Sequence, residues 1–340
     1  MMDNEGVQVR EARHCLLCEA EGELLYSGLR DRLFGAPGNW SLMQCPKCQL
    51  VWLNPCPIPD DISKLYSQYF THQATDARKK TLSGLRNIAV ASILQHRFGY
   101  KMEDSSNVLG LVLSGIGPLV DIAGGNVRYL KAGERGRLLD VGCGNGEYLD
   151  KMRRFDWDVM GVEPDKKAVS VAQEKFSLDI FKGSLEEAKF PDGYFDAITM
   201  NHVLEHASEP IRLLKECRRI LKPRGKLVVI TPNTKSLGQN TFKDSWLHWD
   251  PPRHIFLFNL YSLRASAEIS ALKIQELRTT AKGARGIWVA SRLIKREGIL
   301  VDYSIKRPGP FLRLQGLIFQ AAEHSYRSDA GEELVLIATR

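Results

Sequence analysis

The chain has no apolar run long enough to cross a bilayer as one helix. Its longest stretch without a charged residue, 105–120, holds sixteen residues broken by Gly110, Gly115, Gly117 and Pro118, whereas a span needs about 20. The first fourteen residues lack the apolar centre of a secretory leader, so a cytoplasmic protein is expected. Cysteine is scarce and odd in number, seven in 340 residues with five of them before residue 57. That distribution disfavours an extracellular disulfide framework and suits metal ligation in a reducing compartment. Acidic charge is the minority sign: Lys and Arg exceed Asp and Glu by seven, and the pI is near 9.0. A phosphate-bearing substrate, nucleic acid or an anionic membrane surface is compatible with the excess, which is also ordinary in soluble enzymes. The length exceeds one typical domain and leaves ample apolar residues for a core.

What is present is organised around residues 138–149, Leu-Leu-Asp-Val-Gly-Cys-Gly-Asn-Gly-Glu-Tyr-Leu. Apolar residues and an acid run into three glycines at alternate positions, followed by an amphipathic stretch, which predicts a buried strand, a tight turn and a helix. Gly142, Gly144 and Gly146 remove Cβ atoms that would hold a ligand off the backbone, and the N–H groups opening the helix offer donors to an anion. A dinucleotide fingerprint needs a glycine three residues after its second, and Glu147 stands there. The dehydrogenase reading therefore fails. With Asp140 two residues before the first glycine, the pattern resembles the first motif of class I S-adenosylmethionine-dependent methyltransferases. The resemblance implies that S-adenosylmethionine lies along Gly142, Cys143, Gly144 and Gly146, with Asp140 facing its ammonium group directly or through water.

Downstream, strands at 137–141, 158–162, 179–181, 195–200 and 226–231 alternate with helices at 147–155, 166–176 and 210–221. Alternation of this kind predicts an α/β fold, a parallel sheet with helices on both faces and ligands at the carboxyl ends of its strands. The resemblance adds a closing antiparallel hairpin from 273–279 and 333–338, making a seven-stranded, mostly parallel, Rossmann-like sheet. Glu163 stands about twenty residues past the first glycine, where a carboxylate accepts both hydroxyls of a ribose; Pro164 follows it, and Asp165 is expected to cap the next helix. By resemblance, Ser184 and Leu185 meet the adenine, while Asn201 and His202 follow the fourth strand and line the methyl-transfer site. Glu205 and His206 then orient that loop.

Before the core, Cys15-Leu-Leu-Cys18 and Cys45-Pro-Lys-Cys48 make two Cys-x-x-Cys knuckles twenty-six residues apart. Four thiolates so spaced suit a tetrahedral structural zinc with no position left for a catalytic water, and Cys56 is a bystander. The following Gln49-Leu-Val-Trp-Leu-Asn-Pro resembles the tail of the ribbon in zinc-binding methyltransferases of sugar and polysaccharide pathways, including sugar C-methyltransferases, with Gln49 where those have glycine. That resemblance places Tyr66 and Tyr69 beside the active site; aromatic packing between ribbon and core is the other reading. Residues 232–258 form an insertion containing Trp246-Leu-His-Trp-Asp-Pro-Pro-Arg-His254, which resembles the Trp to Arg-His stretch of the same group. Trp246 and Trp249 are expected to stack on an acceptor, Arg253 to hold a phosphate or carboxylate, and His254 to act as base. His202, His248 and Asp250 are further candidates for that role. The domain reading is a ribbon with its aromatic tail at 1–70, a helical linker or lid at 71–135, and a methyltransferase core at 136–340 with insertions at 232–258 and 281–331. The second insertion is basic and reads as a helical hairpin on the core or a membrane-surface element. Methyl transfer to a small molecule, a nucleotide-linked sugar or polysaccharide precursor, is the expected function. RNA methylation and a non-catalytic cofactor-binding scaffold are the alternatives; against RNA, the basic residues are dispersed and an Asn-Pro-Pro-Tyr motif after the fourth strand is absent.

Overall fold

Short strands dominate the first sixty residues, as the knuckles and turn residues require. They are β1 (Met2–Asn4), β2 (Val7–Arg10), β3 (Glu23–Leu29), β4 (Trp40–Gln44), β5 (Val51–Asn54) and β6 (Cys56–Pro57). The structure, a computed structural model, describes residues 2–66, 84–300, 315–316, 318–320 and 329–340. Three helices come next, α1 (Gly84–Phe98), α2 (Asn107–Leu113) and α3 (Gly117–Asn126). The core then runs β7 (Arg137–Val141), α4 (Glu147–Arg153), β8 (Asp158–Glu163), α5 (Lys166–Phe176), β9 (Ile180–Lys182), β10 (Phe195–Asn201), α6 (Pro210–Ile220) and β11 (Leu221–Pro232). It ends with α7 (Leu237–Phe242), β12 (Phe256–Leu257), α8 (Leu260–Ile269), β13 (Lys273–Thr280), α9 (Ala284–Glu297) and β14 (Glu333–Thr339).

Seven strands form the central sheet in the order β13-β14-β11-β10-β7-β8-β9. The crossovers pair β7 through β11 in parallel, and β14 runs antiparallel to both β11 and β13. Both faces are covered, because side chains alternate across a strand and each strand here is apolar on both sides. Along β11, Leu227 and Val229 point into one core with Leu213 and Leu214 of α6 and Leu263 of α8; Val228 and Ile230 point into the other with Ile93 of α1 and Ala123 of α3. Leu334 and Leu336 against Val335 and Ile337 repeat the division in β14. The crevice lies where the sheet order reverses, between β7 and β10 at their carboxyl ends.

The ribbon is built into this body. Strand β12, from the 232–258 insertion, pairs antiparallel with β5, Phe256 opposite Trp52 and Leu257 opposite Val51, and completes a sheet ordered β12-β5-β4-β3. The edge of β5 draws Phe256 and Leu257 into a strand, and the helix starts after Asn259. Asn259 caps α8, its Oδ1 accepting from the backbone N–H of Tyr261 at 2.8 Å and Ser262 at 3.0 Å, while its Nδ2 donates to the Gln49 carbonyl at 3.0 Å.

Arg253 is the main tie between the two parts. Its Nη1 and Nη2 donate to the two Asp31 carboxylate oxygens at 2.7 and 2.8 Å, its Nε donates to Asp250 Oδ2 at 3.0 Å, and Nη2 also reaches Asp250 Oδ1. Arg253 and Asp31 side chains are wholly shielded from solvent. Asp31 in turn accepts from the N–H groups of Leu33, Phe34 and Ala36. Removing the guanidinium leaves two buried carboxylates without their counter-charge, which costs more than an exposed pair. Arg253→Ala is expected to lower the unfolding free energy by about 3–5 kcal/mol. Urea denaturation checks this, and a loss below about 1 kcal/mol, the range of a surface pair, would show that the bridge carries little.

Candidate active site

The turn after β7 needs its glycines for two different reasons. Gly142, Gly144 and Gly146 all have left-handed backbones, φ +67°, +55° and +79°, which glycine adopts without steric cost. A Cβ on Gly142 would lie 2.5 Å from Val203 Cγ2, and one on Gly146 would lie 2.6 Å from Leu178 Cδ1. Only Gly144 faces open space. Close ligand approach therefore explains Gly144, while the other two allow the turn to pack against the loop after β10 and against the segment following α5.

The turn's amides are largely turned inward. Gly142 and Cys143 donate to the Val162 carbonyl at 2.8 and 3.2 Å, Gly144 to Glu163 Oε2 at 2.8 Å, Gly146 to the Cys143 carbonyl at 3.2 Å, and Glu147 to Asn145 Oδ1 at 3.2 Å. The anion cradle expected from sequence is thus engaged internally, and the turn is better suited to a ligand without phosphate than to a pyrophosphate. Glu163 is buried at the end of β8, accepts also from Asp165 N–H at 3.0 Å, and burial raises its pKa. Each of its oxygens keeps a further lone pair for a ribose hydroxyl. Asp165 caps α5 through Lys167 and Ala168 N–H. Pro164 is exposed beside Glu163. Cys143 is a buried thiol whose pKa burial raises. Ser184 is exposed, its N–H donating to Glu187 Oε2 at 2.7 Å, and Leu185 is buried in the core.

Asp140 is fully buried. Its Oδ1 accepts from Thr199 Oγ1 at 2.9 Å and pairs with Arg128, whose Nη1 also reaches Thr199 Oγ1 at 2.9 Å. Asp140 Oδ2 is buried without a hydrogen-bond partner. Arg128 lies over the Tyr148 ring, 3.7 Å from its centroid, and has a left-handed backbone. No local pattern marked Arg128 or Thr199 in the sequence; the turn after α3 and the register of β10 against β7 bring them to Asp140.

Past β10 the loop 201–206 faces the insertion. Asn201 ends the strand half-buried, and His202 takes a left-handed backbone, φ +54°. His202 Nδ1 contacts Glu205 Oε1 at 3.0 Å and Nε2 contacts Glu333 Oε1 at 2.9 Å. Burial would lower its pKa, but the two carboxylates override it and raise the value to about 10. His202 is therefore an imidazolium at neutral pH, which corrects the expectation of a base at this position. Glu205 is fully buried; burial opposes its charge, yet His202 holds it well below the usual carboxylate range, and Thr231 Oγ1 donates to its Oε2 at 2.9 Å.

His206 and His254 are the opposite case. Burial lowers both pKa values to about 4, so both rings are neutral near pH 7. His206 Nδ1 contacts the Arg253 carbonyl at 3.1 Å and His254 Nδ1 contacts the His248 carbonyl at 2.6 Å. Their rings meet edge to face at 4.6 Å, and ligand atoms of Glu205, His206 and His254 lie within 4.8 Å of one another. His248 is buried and stacks on His202 at 5.6 Å, its pKa held well below the ordinary histidine value by burial. Asp250 is committed to Arg253 and is not placed as a base.

Three substrate expectations are corrected. Trp246 and Trp249 are 2% and 1% exposed. Their indole N–H groups donate to Glu332 Oε2 at 2.9 Å and to the Lys243 carbonyl at 2.6 Å. They are a rigid corner, not an exposed stacking platform. Arg253 is enclosed by the carboxylates that fold the insertion and presents no donor face to an acceptor phosphate. Tyr69 and the side chain of Tyr66 lie outside the described residues.

The four knuckle cysteines converge, all Sγ atoms within 4.8 Å of one another. Zinc–sulfur bonds of about 2.3 Å put tetrahedral sulfurs roughly 3.8 Å apart, so the donor set fits that ion. The two knuckles match each other. Cys15 N–H donates to the Ala20 carbonyl and Cys45 N–H to that of Leu50, both at 2.9 Å, and the residue after each pair, Glu19 and Gln49, is left-handed at φ +56° and +59°.

With this geometry, residues 122–276 match a family described as methyltransferase domain. The segment belongs to the class I S-adenosylmethionine-dependent methyltransferases. A ubiquinone biosynthesis O-methyltransferase of Cereibacter sphaeroides is 32% identical to it over 123 residues, 34% of this chain and 50% of that protein. A probable S-adenosylmethionine-dependent methyltransferase of Mycobacterium tuberculosis is 32% identical over 107 residues, 31% of this chain and 39% of that protein. A solved S-adenosylmethionine-dependent methyltransferase of Archaeoglobus fulgidus has 19% identity and a TM-score of 0.41, covering 61% of this chain and 86% of that one. The chain spans half or less of the length of these curated relatives. Within this domain Asp140 and Glu163 are buried at the carboxyl ends of β7 and β8, with Gly144 in the turn between them.

The two classes of histidine predict a titration. His202, raised to about 10, adds stability that is complete below its unfolded value of about 6.5 and is lost as pH climbs through 10. Ring NMR should therefore find one imidazolium persisting above pH 9, and Glu333→Gln should move it downward. A His202 resonance titrating at ordinary histidine pH would refute the assignment.

Proposed function

We propose that the chain transfers the methyl group of S-adenosylmethionine to a small-molecule acceptor, a nucleotide-linked sugar or a related polysaccharide precursor. The observation carrying the reading is the crevice after β7. Its turn keeps its own amides occupied, leaves Gly144 open, and sets a buried carboxylate at the end of each neighbouring strand. When bound, the cofactor supplies a methyl group already activated by a sulfonium leaving group. Glu163 would hold the ribose, and Asp140 and Arg128 the ammonium and carboxylate of the methionyl part by opposite charge.

The protein's remaining task is to orient the acceptor and take its proton. His206 and His254 are neutral, with Nδ1 of each set against a carbonyl, and His206 is the more exposed of the two. We assign proton acceptance to this pair, with Glu205 stabilising the charge that develops. His202, already charged, keeps Glu205 ionised. The acceptor class is supported by the Trp to His insertion and by its union with the ribbon through β12 and Arg253. A ribbon fixed in this way is suited to shaping a pocket more than to sweeping over RNA. We further propose a structural zinc on Cys15, Cys18, Cys45 and Cys48, closing the ribbon that carries Asp31.

Two variants separate these roles. Gly144→Ala is expected to weaken S-adenosylmethionine binding at least about tenfold, or ~1.4 kcal/mol, by calorimetry, while Cys15→Ser releases zinc and changes cofactor affinity little. Unchanged affinity in Gly144→Ala would sink the cofactor placement. Labelled methyl transfer should appear in nucleotide-sugar pools; label found in RNA instead, with steep salt dependence of RNA binding, would overturn the acceptor class. His206→Ala and His254→Ala should each cut turnover by roughly a hundredfold or more with cofactor binding intact.

A further inference from the structure

Four of the chain's eight histidines meet in one place. Ring contacts of 5.6 Å between His202 and His248, 6.4 Å between His248 and His254, and 4.6 Å between His254 and His206 join them in a row. Beside that row Glu205, His206 and His254 each bring one ligand atom to within 4.8 Å of the other two. Glu205 and His254 are buried and His206 is half-buried, so an ion from solvent reaches the group on the His206 side.

Each donor is already oriented by an outer partner. A carbonyl only accepts, so the Nδ1 set against it carries the proton: His206 donates to the Arg253 carbonyl at 3.1 Å and His254 to that of His248 at 2.6 Å. Nε2 is then the ligand nitrogen of each neutral ring, the arrangement that metal-binding histidines use. Glu205 Oε1 meets His202 at 3.0 Å, Oε2 accepts from Thr231 at 2.9 Å, and each oxygen has a second lone pair. His254 Nε2 stands 4.0 Å from Asp250 Oδ2, beyond hydrogen-bonding distance, and Asp250 is taken up by Arg253. Around these donors the carboxylates of Glu205, Glu333, Asp31 and Asp250 outnumber the cations His202 and Arg253 by two, a formal surplus that a divalent ion neutralises. An independent sign is His248, 8% exposed, whose Nε2 is buried without a hydrogen-bond partner among the described residues. A buried nitrogen of that kind calls for a water or an ion beside it.

We propose that Glu205, His206 and His254 form a second metal site, separate from the four cysteines, for a divalent transition ion of the zinc class. Two imidazoles and one carboxylate suit zinc, cobalt or nickel over magnesium and calcium, which take oxygen shells. Metal bonds of about 2.0–2.2 Å set tetrahedral ligand atoms roughly 3.4 Å apart. The side chains therefore close in by about 1.4 Å at most. Three protein ligands leave a fourth position for water, the group that would satisfy His248. Only the consequence of this site rests on the proton-accepting reading of His206 and His254: the lone pairs that take the acceptor's proton are those the ion binds, so metal and turnover exclude each other.

Cobalt(II) titration of the full chain, followed by visible absorption, separates the two sites. Two equivalents should bind, one with the sulfur-to-cobalt charge-transfer band of thiolate ligation and one without it. His206→Ala should weaken the second class by about a hundredfold or more and Thr231→Val by about tenfold, since outer partners alone are worth about 10–100-fold in affinity. The sulfur-bound class and the thermal midpoint should be retained in both. Sulfur-bound cobalt alone, or a second class that His206→Ala leaves unchanged, overturns the site. Added zinc should also stop methyl transfer, and turnover that persists with the second class saturated overturns the exclusion. The titration needs neither cofactor nor acceptor, so a failure of the methyltransferase reading would leave the metal result standing.

Discussion

The buried guanidinium of Arg253 is the constraint on which the site depends. It holds Asp31 from the ribbon and Asp250 from the insertion, and the next residue is His254. The Arg253 carbonyl meets His206, and Ile255 N–H donates to the Glu205 carbonyl at 2.7 Å. One ion-paired side chain therefore sets the distance between the loop after β10 and the insertion that faces it. Buried charge of this kind is poor value as stability alone, because desolvation offsets much of the attraction. Its benefit here is geometric: two segments some fifty residues apart are held in one register.

That register explains how histidines within reach of one another have opposite proton affinities. His202 lies between Glu205 and Glu333 and stays charged. His206 and His254 are set against backbone carbonyls, and burial keeps them neutral. Intrinsic pKa does not separate these rings, and the sequence reading took His202 and His254 as base candidates and His206 as a loop-orienting residue. What separates them is a carboxylate 131 positions away, delivered to His202 by the antiparallel return of β14.

The legible parts of the chain are those governed by local rules. Period-two apolar strands, the alternate glycines and the paired cysteines each state their structure within a dozen residues, and the parallel sheet follows from their alternation. The strand–helix order did not disclose that Phe256 and Leu257 would join the ribbon, because the partner edge lies some two hundred residues earlier. The tryptophans and Arg253 were misassigned for a related reason. A motif shows residue types, but not whether they face an acceptor or fold the wall behind it, and burial decides between the two. Arg128 carried no pattern at all, and its part emerges only where the turn after α3 meets Asp140.

The shared β5–β12 edge also bears on how such a protein diverges. Although a ribbon precedes a catalytic core in the chain, the boundary between them in space runs through a hydrogen-bonded sheet and a two-acid clasp. Grafting the first sixty-six residues onto another catalytic core would strip that sheet of its last strand and leave Asp31 facing an unmatched surface. A graft that kept these contacts would have to carry the segment from Trp246 to Asn259 together with the ribbon.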